Sequence, residues 1–332
     1  MTALWNEMPR HGKWLTLLLV LVFIAAPLVV DRYLLSVLVL VLYFAYLGQA
    51  WNLLMGFAGQ LSLGHALYLG LGAYTATTLW LLFGIGPWIG VFVAIAVAAA
   101  AGLIVGWLGW RFGVEGVYFA LLTIAFAEFT RIGFDHLGLT GASGGLFLPV
   151  SPTAHDWWNL NGGVHLFYYV ALILAVAATL LAAWLRQSPL GYRWLAVRED
   201  PLAAQAVGIN VFRVRMIAML ISAGMTAVGG VFYGFYYRNL FPSQIFDISR
   251  SIELILGPII GGLGTIFGPI VGAIILTPLG ESLTTFMQSS GFNVPGAKSI
   301  FYGIILMIII SLRPSGVWPW LAKHLRLDRP KS

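Results

Sequence analysis

Residues 51–78 read WNLLMGFAGQLSLGHALYLGLGAYTATT, a run that is apolar and glycine-rich yet holds Asn52, Gln60, Ser62 and His65. Polar side chains are costly at membrane depth and persist there when they are buried in protein or face a watery path. The run therefore reads as the wall of a translocation route rather than lipid-facing filler. His65 follows Ser62 by three residues, so the two share a helical face, with Gln60 near the turn that opens it. Two roles stay open for these groups. They form either a transient contact surface for a zwitterionic solute or a set of hydrogen bonds that holds the broken segment in shape.

The surrounding composition places the run in a bilayer. Of 332 residues, 60% are hydrophobic and 9% charged, and mean hydropathy is +0.90, whereas soluble domains carry about 25% charged residues. The expected fold is an all-α polytopic integral membrane protein, a single transmembrane domain over residues 1–332. The net charge of +6 sits in short inter-helix loops and at the ends, as the positive-inside bias predicts, and gives no reason to invoke nucleic acid. Zero cysteines exclude disulfides and thiolate chemistry, and the six histidines show no paired ligand spacing, so no metal or other cofactor is expected. Arg10 and Lys13 precede an apolar run, 14–30, that lacks a small-x-small cleavage site and reads as a retained first helix.

Crossing a bilayer takes about 20 apolar residues, and candidate spans lie near 14–30, 33–54, 61–83, 87–110, 117–131, 165–185, 214–237 and 299–313. The run 252–280 is too long for one span. It is interrupted by GPIIGGLGTIFGP, with Pro258, Pro269 and the glycines Gly257, Gly261, Gly262, Gly264 and Gly268. The loop 186–215 and the tail from 313 onward (Lys323, Arg326, Arg329, Lys331) are the most basic segments, so both should face the cytoplasm. From an inward N-terminus, the tail returns inside only if 252–280 makes two short passes. That gives about ten crossings, with two half-length helices meeting at 264–268. GQLSLGHALYLGLGAY and IIGGLGTIFGPIVGA share small-residue spacing and polar or proline interruptions, as counterparts in two inverted halves would.

In the basic loop, 186–213, REDPLAAQAVGINVFRVR specifies a short helix outside the membrane. Asp200 suits the cap, Pro201 the first helical position, Ala203 and Ala204 the interior, and Gly208 the left-handed residue that ends it. About two turns are marginal alone in water, so a docking element explains the helix better than a free loop, the other reading being a helix lying on the bilayer interface. Glu128 with Arg131, and Arg250 with Glu253, are spaced for helix-end ion pairs. Trp157, Trp158, Tyr168 and Tyr169 flank the longest outward loop, 132–164, as an interfacial belt does.

Four motifs in order, NLLMGFAGQLSLGHALYLGLGAYT, LTGASGGL, VREDPLAAQAVGI and IIGGLGTIFGPIVGA, resemble the membrane permease subunit of branched-chain amino acid ABC importers, the LivM-like type within the LivH/LivM family. The resemblance spans about residues 33–313. It implies coupling to a cytoplasmic ATPase through Asp200, Pro201, Ala203, Ala204 and Gly208. It also implies a second permease subunit forming a heterodimer, two ATPase subunits that use the ATP, an extracytoplasmic binding protein, and a multi-pass place in the bacterial inner membrane with both termini cytoplasmic. One departure is Gly144, where family members often carry aspartate.

Two motifs point elsewhere without the context they need. Residues 141–145 match G-x-S-x-G, but no strand-turn-helix, His or acid accompanies them. GFNVPGAKS, 291–299, nearly spells a phosphate loop, with Ala297 intruding before Lys298. The alternatives are a relative importing urea, short amides or aromatic acids, and an ion-coupled secondary transporter, which would need an intramembrane acid pair. A membrane-embedded enzyme lacks a catalytic constellation.

Overall fold

The computed structural model describes residues 10–149, 157–291 and 296–325. They are almost wholly helical: α1 (Arg10–Val29), α2 (Arg32–Asn52) continuing into a π turn (Leu53–Phe57), α3 (His65–Phe83), α4 (Pro87–Arg111), α5 (Gly116–His136), α6 (Val164–Gln187), α7 (Pro189–Glu199), α8 (Pro201–Ala206), α9 (Val211–Tyr237), α10 (Pro242–Ile245), α11 (Ile248–Gly261), α12 (Gly268–Ser289), α13 (Ala297–Leu312) and α14 (Val317–His324). Two dipeptide strands, β1 (Leu146–Phe147) and β2 (Asn239–Leu240), pair antiparallel, with Leu146 opposite Leu240. The helices gather into two compact units, 50–163 with 186–255, and 1–49 with 164–185 and 256–332.

In the first unit, α9 is buried on nearly every side and packs against α3 and α4. Small residues permit this. A Cβ on Gly72 would overlap the Ala227 carbonyl, and one on Gly230 the Leu69 carbonyl, so the α3 and α9 backbones touch. Along α4, Gly90, Ala94, Ala98, Gly102 and Gly106 recur every four residues on the buried face, while Ile89, Phe92, Val97 and Ile104 are exposed. Large apolar side chains thus face outward and small ones inward, as a helix in lipid requires.

In the second unit, α11 and α12 cross at Gly257 and Gly261 against Gly268 and Gly272, again at backbone contact. Leu256, Ile260, Leu276 and Tyr302 form the apolar cluster beside this crossing. Pro258 and Pro269 pack on Gly48 of α2, where an added Cβ would meet them at 3.1 and 3.2 Å. Thr265 closes the break between the helices. Its hydroxyl donates to the Gly262 carbonyl at 2.7 Å and accepts from the Gly268 N–H at 3.0 Å.

Two expectations require correction. Seven described helices are long and apolar enough to cross a membrane, or eight if the bent pair α13 and α14 counts as one span, rather than about ten. The run 252–280 is broken, but not into two half-length passes: α11 has 14 residues and α12 has 22, the latter enough for a full span. Pro258 lies inside α11 and Pro278 inside α12 without ending either. Glycine conformation makes the break instead: Gly262 and Gly264 have φ of +126° and +71°, and Pro269 opens α12 in its first turn. Within the expected tail, 314–332, α14 is helical. Arg326, Arg329 and Lys331 lie outside the described residues, as do 150–156 of the outer loop and 292–295 of GFNVPGAKS.

Candidate functional site: the break between α2 and α3 and the helices beneath it

Residues 58–64 leave helical geometry between two helices in the middle of the first unit, so their backbone groups need partners from elsewhere in the fold. They have them. The N–H groups of Gly59 and Gln60 reach back to the carbonyls of Met55 and Leu54, at 3.1 and 3.0 Å. The Gln60 side chain donates to the Ala58 carbonyl at 3.0 Å, and the Trp51 indole to the Ser62 carbonyl at 2.8 Å. The Thr123 hydroxyl of α5 accepts from the Leu63 N–H at 3.0 Å. The first turn of α3 has no side-chain cap of its own, and Ser251 of α11 replaces it by accepting from the Ala66 N–H at 2.9 Å.

His65 is the hub of this arrangement and has no exposed surface. Its Nδ1 lies 3.1 Å from the Ser62 hydroxyl and its Nε2 2.9 Å from the Ser222 hydroxyl of α9. Ser222 has one proton and donates it to the Ala50 carbonyl at 2.7 Å. It must therefore accept from Nε2–H, which leaves Nδ1 to accept from Ser62 and assigns the neutral Nε2–H tautomer. Tyr68 meets the ring edge-on at 5.5 Å. Of the four path candidates, the structure brings Ser62 and His65 together, turns Gln60 onto its own backbone, and buries Asn52 completely. In this conformation Ser62 and His65 are buried and hydrogen-bonded within the protein. Ser222, Thr123 and Ser251 complete the arrangement. Thr123 and Ser222 are hydroxyls set in apolar runs, and that was the signal available to find them; Ser251, in the polar stretch DISRSIE, carried none.

Below the break, the short helix forms with the boundaries its sequence dictates. Asp200 accepts from the N–H groups of Leu202 and Ala203, at 2.8 and 3.0 Å, and Pro201 occupies the first turn. Gly208 has φ of +85° with its N–H on the Gln205 carbonyl. Ala204 is buried, while Leu202 and Val207 are each 77% exposed. Sequence reading missed the preceding helix, α7, whose Ser188 cap and Pro189 are the same signals seen at Asp200 and Pro201. Trp194 seats α7 on the unit: it is fully buried and its indole donates to the Val214 carbonyl at 2.9 Å.

Glu128, Asp135, Glu253 and Glu281 are each paired with a cation. Arg131 holds Glu128 through two donors and also Asp135 at 2.9 Å, Arg250 holds Glu253 at 2.8 Å, and Lys298 holds Glu281 at 3.1 Å. The expected ion pairs of Glu128 and Glu253 are present, that of Glu253 near the start of α11 and that of Glu128 inside α5 rather than at its end. Residues 138–144 form two tight turns, with no strand leading into a helix around Ser143.

Residues 33–310 match the family described as branched-chain amino acid transport system / permease component. The chain is 28% identical to the high-affinity branched-chain amino acid transport system permease protein LivM of Escherichia coli, over 96% of this chain and 77% of that protein. It is 26% identical to the protein of the same name from Salmonella typhimurium, over 95% and 77%. To LivH of Escherichia coli, also a permease protein of that system, it is 24% identical over 82% of this chain and 90% of that one. No solved structure matches. With multi-pass helices, a break sealed at its centre and a match over most of its length, the chain belongs to the family of permease components of branched-chain amino acid transport systems.

Proposed function

We propose that this chain is one of two unlike permease subunits of an ATP-driven importer and forms half of the path by which branched-chain amino acids cross the inner membrane. The family match over 33–310 carries the reading. Hydrolysis belongs to two separate ATPase subunits inside the cell. The amino acid arrives on an extracytoplasmic binding protein, both termini lie in the cytoplasm, and the chain itself needs no cofactor. α8 is the element that the ATPase grips. Leu202 and Val207 stand exposed on a helix whose ends are held by Asp200 and Gly208, and a partner groove would remove that apolar surface from water.

Uptake into vesicles tests the reading. Leucine accumulation is expected to need ATP, an added ATPase and the binding protein. Accumulation driven by a proton or sodium gradient with this chain alone would overturn it, and selective uptake of urea or a short amide in place of leucine would move the substrate assignment. Gly208→Trp probes the grip. An added Cβ there meets nothing within 4 Å, so the variant should fold, losing about 1 kcal/mol to the left-handed backbone. It is expected to cut ATPase co-purification at least ~10-fold, equivalent to about 1.4 kcal/mol, while Gly208→Asn, which tolerates that backbone, retains it.

A further inference from the structure

We propose that Arg198 is the strut that carries motion of the ATPase-gripped helix into the break between α2 and α3. This rests on the reading of α8 as the gripped helix. Asp200 alone joins α7 to α8: its N–H closes α7 on the Ala196 carbonyl while its carboxylate opens α8. One residue serving both ends leaves no slack, so α7 and α8 turn together.

Arg198 lies in the last turn of α7, two residues before that join. Its guanidinium donates to the Gly56 carbonyl. Gly56 sits in the π turn at the end of the helix, and the Gln60 N–H four residues on, which would continue the helix, is spent on the Leu54 carbonyl. The arginine therefore caps the helix that ends in the break, with its charge at the negative end of the helix dipole. The stem bears on the same place. Gly59 has φ of +70°, and a Cβ there would meet Arg198 Cγ at 3.0 Å and its Cα and Cβ at 3.2 Å. Arg186, at the end of α6, lies over the Phe57 ring at 5.7 Å from its centroid, which fixes the other side of the turn.

From Gly59 the chain runs through Gln60 and Ser62 to His65 without a regular hydrogen-bond ladder, so displacement of residues 56–59 reaches the His65 cluster within a few residues. π turns occur where helices must yield, and at this one the Arg198 guanidinium takes the Gly56 carbonyl while Arg186 covers Phe57. Arg198 touches no solute. It is a positioning residue, and what it positions is the hinge of the path.

The test uses the complete importer in vesicles, with ATP hydrolysed and leucine imported counted on the same sample. Arg198→Ala is expected to leave ATPase co-purification and hydrolysis in place while leucine imported per ATP falls about tenfold or more, in line with loss of a charged hydrogen bond. Arg198→Lys keeps one donor able to reach one carbonyl, and is expected to return the ratio to within about threefold of the parent. Gly59→Ala retains the arginine but drives a methyl into its stem, and is expected to uncouple in the same way. Leucine per ATP unchanged in Arg198→Ala would overturn the strut, as would import, hydrolysis and assembly falling in equal proportion. Undiminished ATPase binding by Gly208→Trp would strike the gripping assignment instead, so the two failures are distinguishable.

Discussion

Gly230→Leu is expected to abolish recovery of folded permease from the membrane. The α3 and α9 backbones meet at this residue: a Cβ would fall on the Leu69 carbonyl and within 2.9 Å of the Ala73 nitrogen, and Gly72 makes the reciprocal approach one turn away. Overpacking a core against movable side chains costs about 1–3 kcal/mol. Here only backbone is available to move, and α9 also packs on α4 and α7, so the shift propagates through the unit. The cost should exceed that range and take most of a net stability of about 5–15 kcal/mol. Size-exclusion profiles of detergent extracts check this, with Gly133→Leu as control, because a Cβ at Gly133 has nothing within 4 Å. Equal recovery of the two variants would refute backbone contact at Gly230.

His65→Ala should act through the fold rather than through solute binding. Removing the ring leaves the Ser62 hydroxyl without its acceptor and opens a void beside Tyr68 in a fully buried place. An orphaned polar group and a cavity together cost about 3–5 kcal/mol, which corresponds to a fall in apparent Tm of roughly 5–15 °C. Leucine uptake per folded permease should remain near the parent value. A variant as heat-stable as the parent but with uptake per permease reduced tenfold would restore the path role.

The membrane class was legible because lipid imposes it on composition, and the spans lay where apolar runs were long enough. Helix ends were legible where a side chain or φ decides them, as at Asp200, Pro201 and Gly208. What sequence obscured was the relative strength of two signals within one run. Prolines and glycines both read as breakers at 252–280, yet Pro258 is carried inside α11 while Gly262 and Gly264, at positive φ, turn the chain. The crossing count went wrong there, where one full-length helix stands in place of two short passes. At the site, spacing brought Ser62 to His65, but nothing local could announce that Ser222, 157 residues away, is the partner of His65, or that Arg198 reaches the Gly56 carbonyl, 142 residues away. Such partners are selected by tertiary packing.

The β1–β2 pairing has a consequence for whatever protein alights on that end of the first unit. The Leu148 N–H donates to the Arg238 carbonyl at 2.8 Å, the Tyr74 hydroxyl to the Leu240 carbonyl at 3.0 Å, and Arg238 reaches Asn161 at 2.5 Å. A segment pinned at so many points has already surrendered its conformational freedom, at about 1–2 kcal/mol per residue. A visitor meets a rigid quay instead of a loose rope, and forfeits little further entropy on contact. Mutations on that rim should accordingly alter how long the visitor stays more than how fast it arrives.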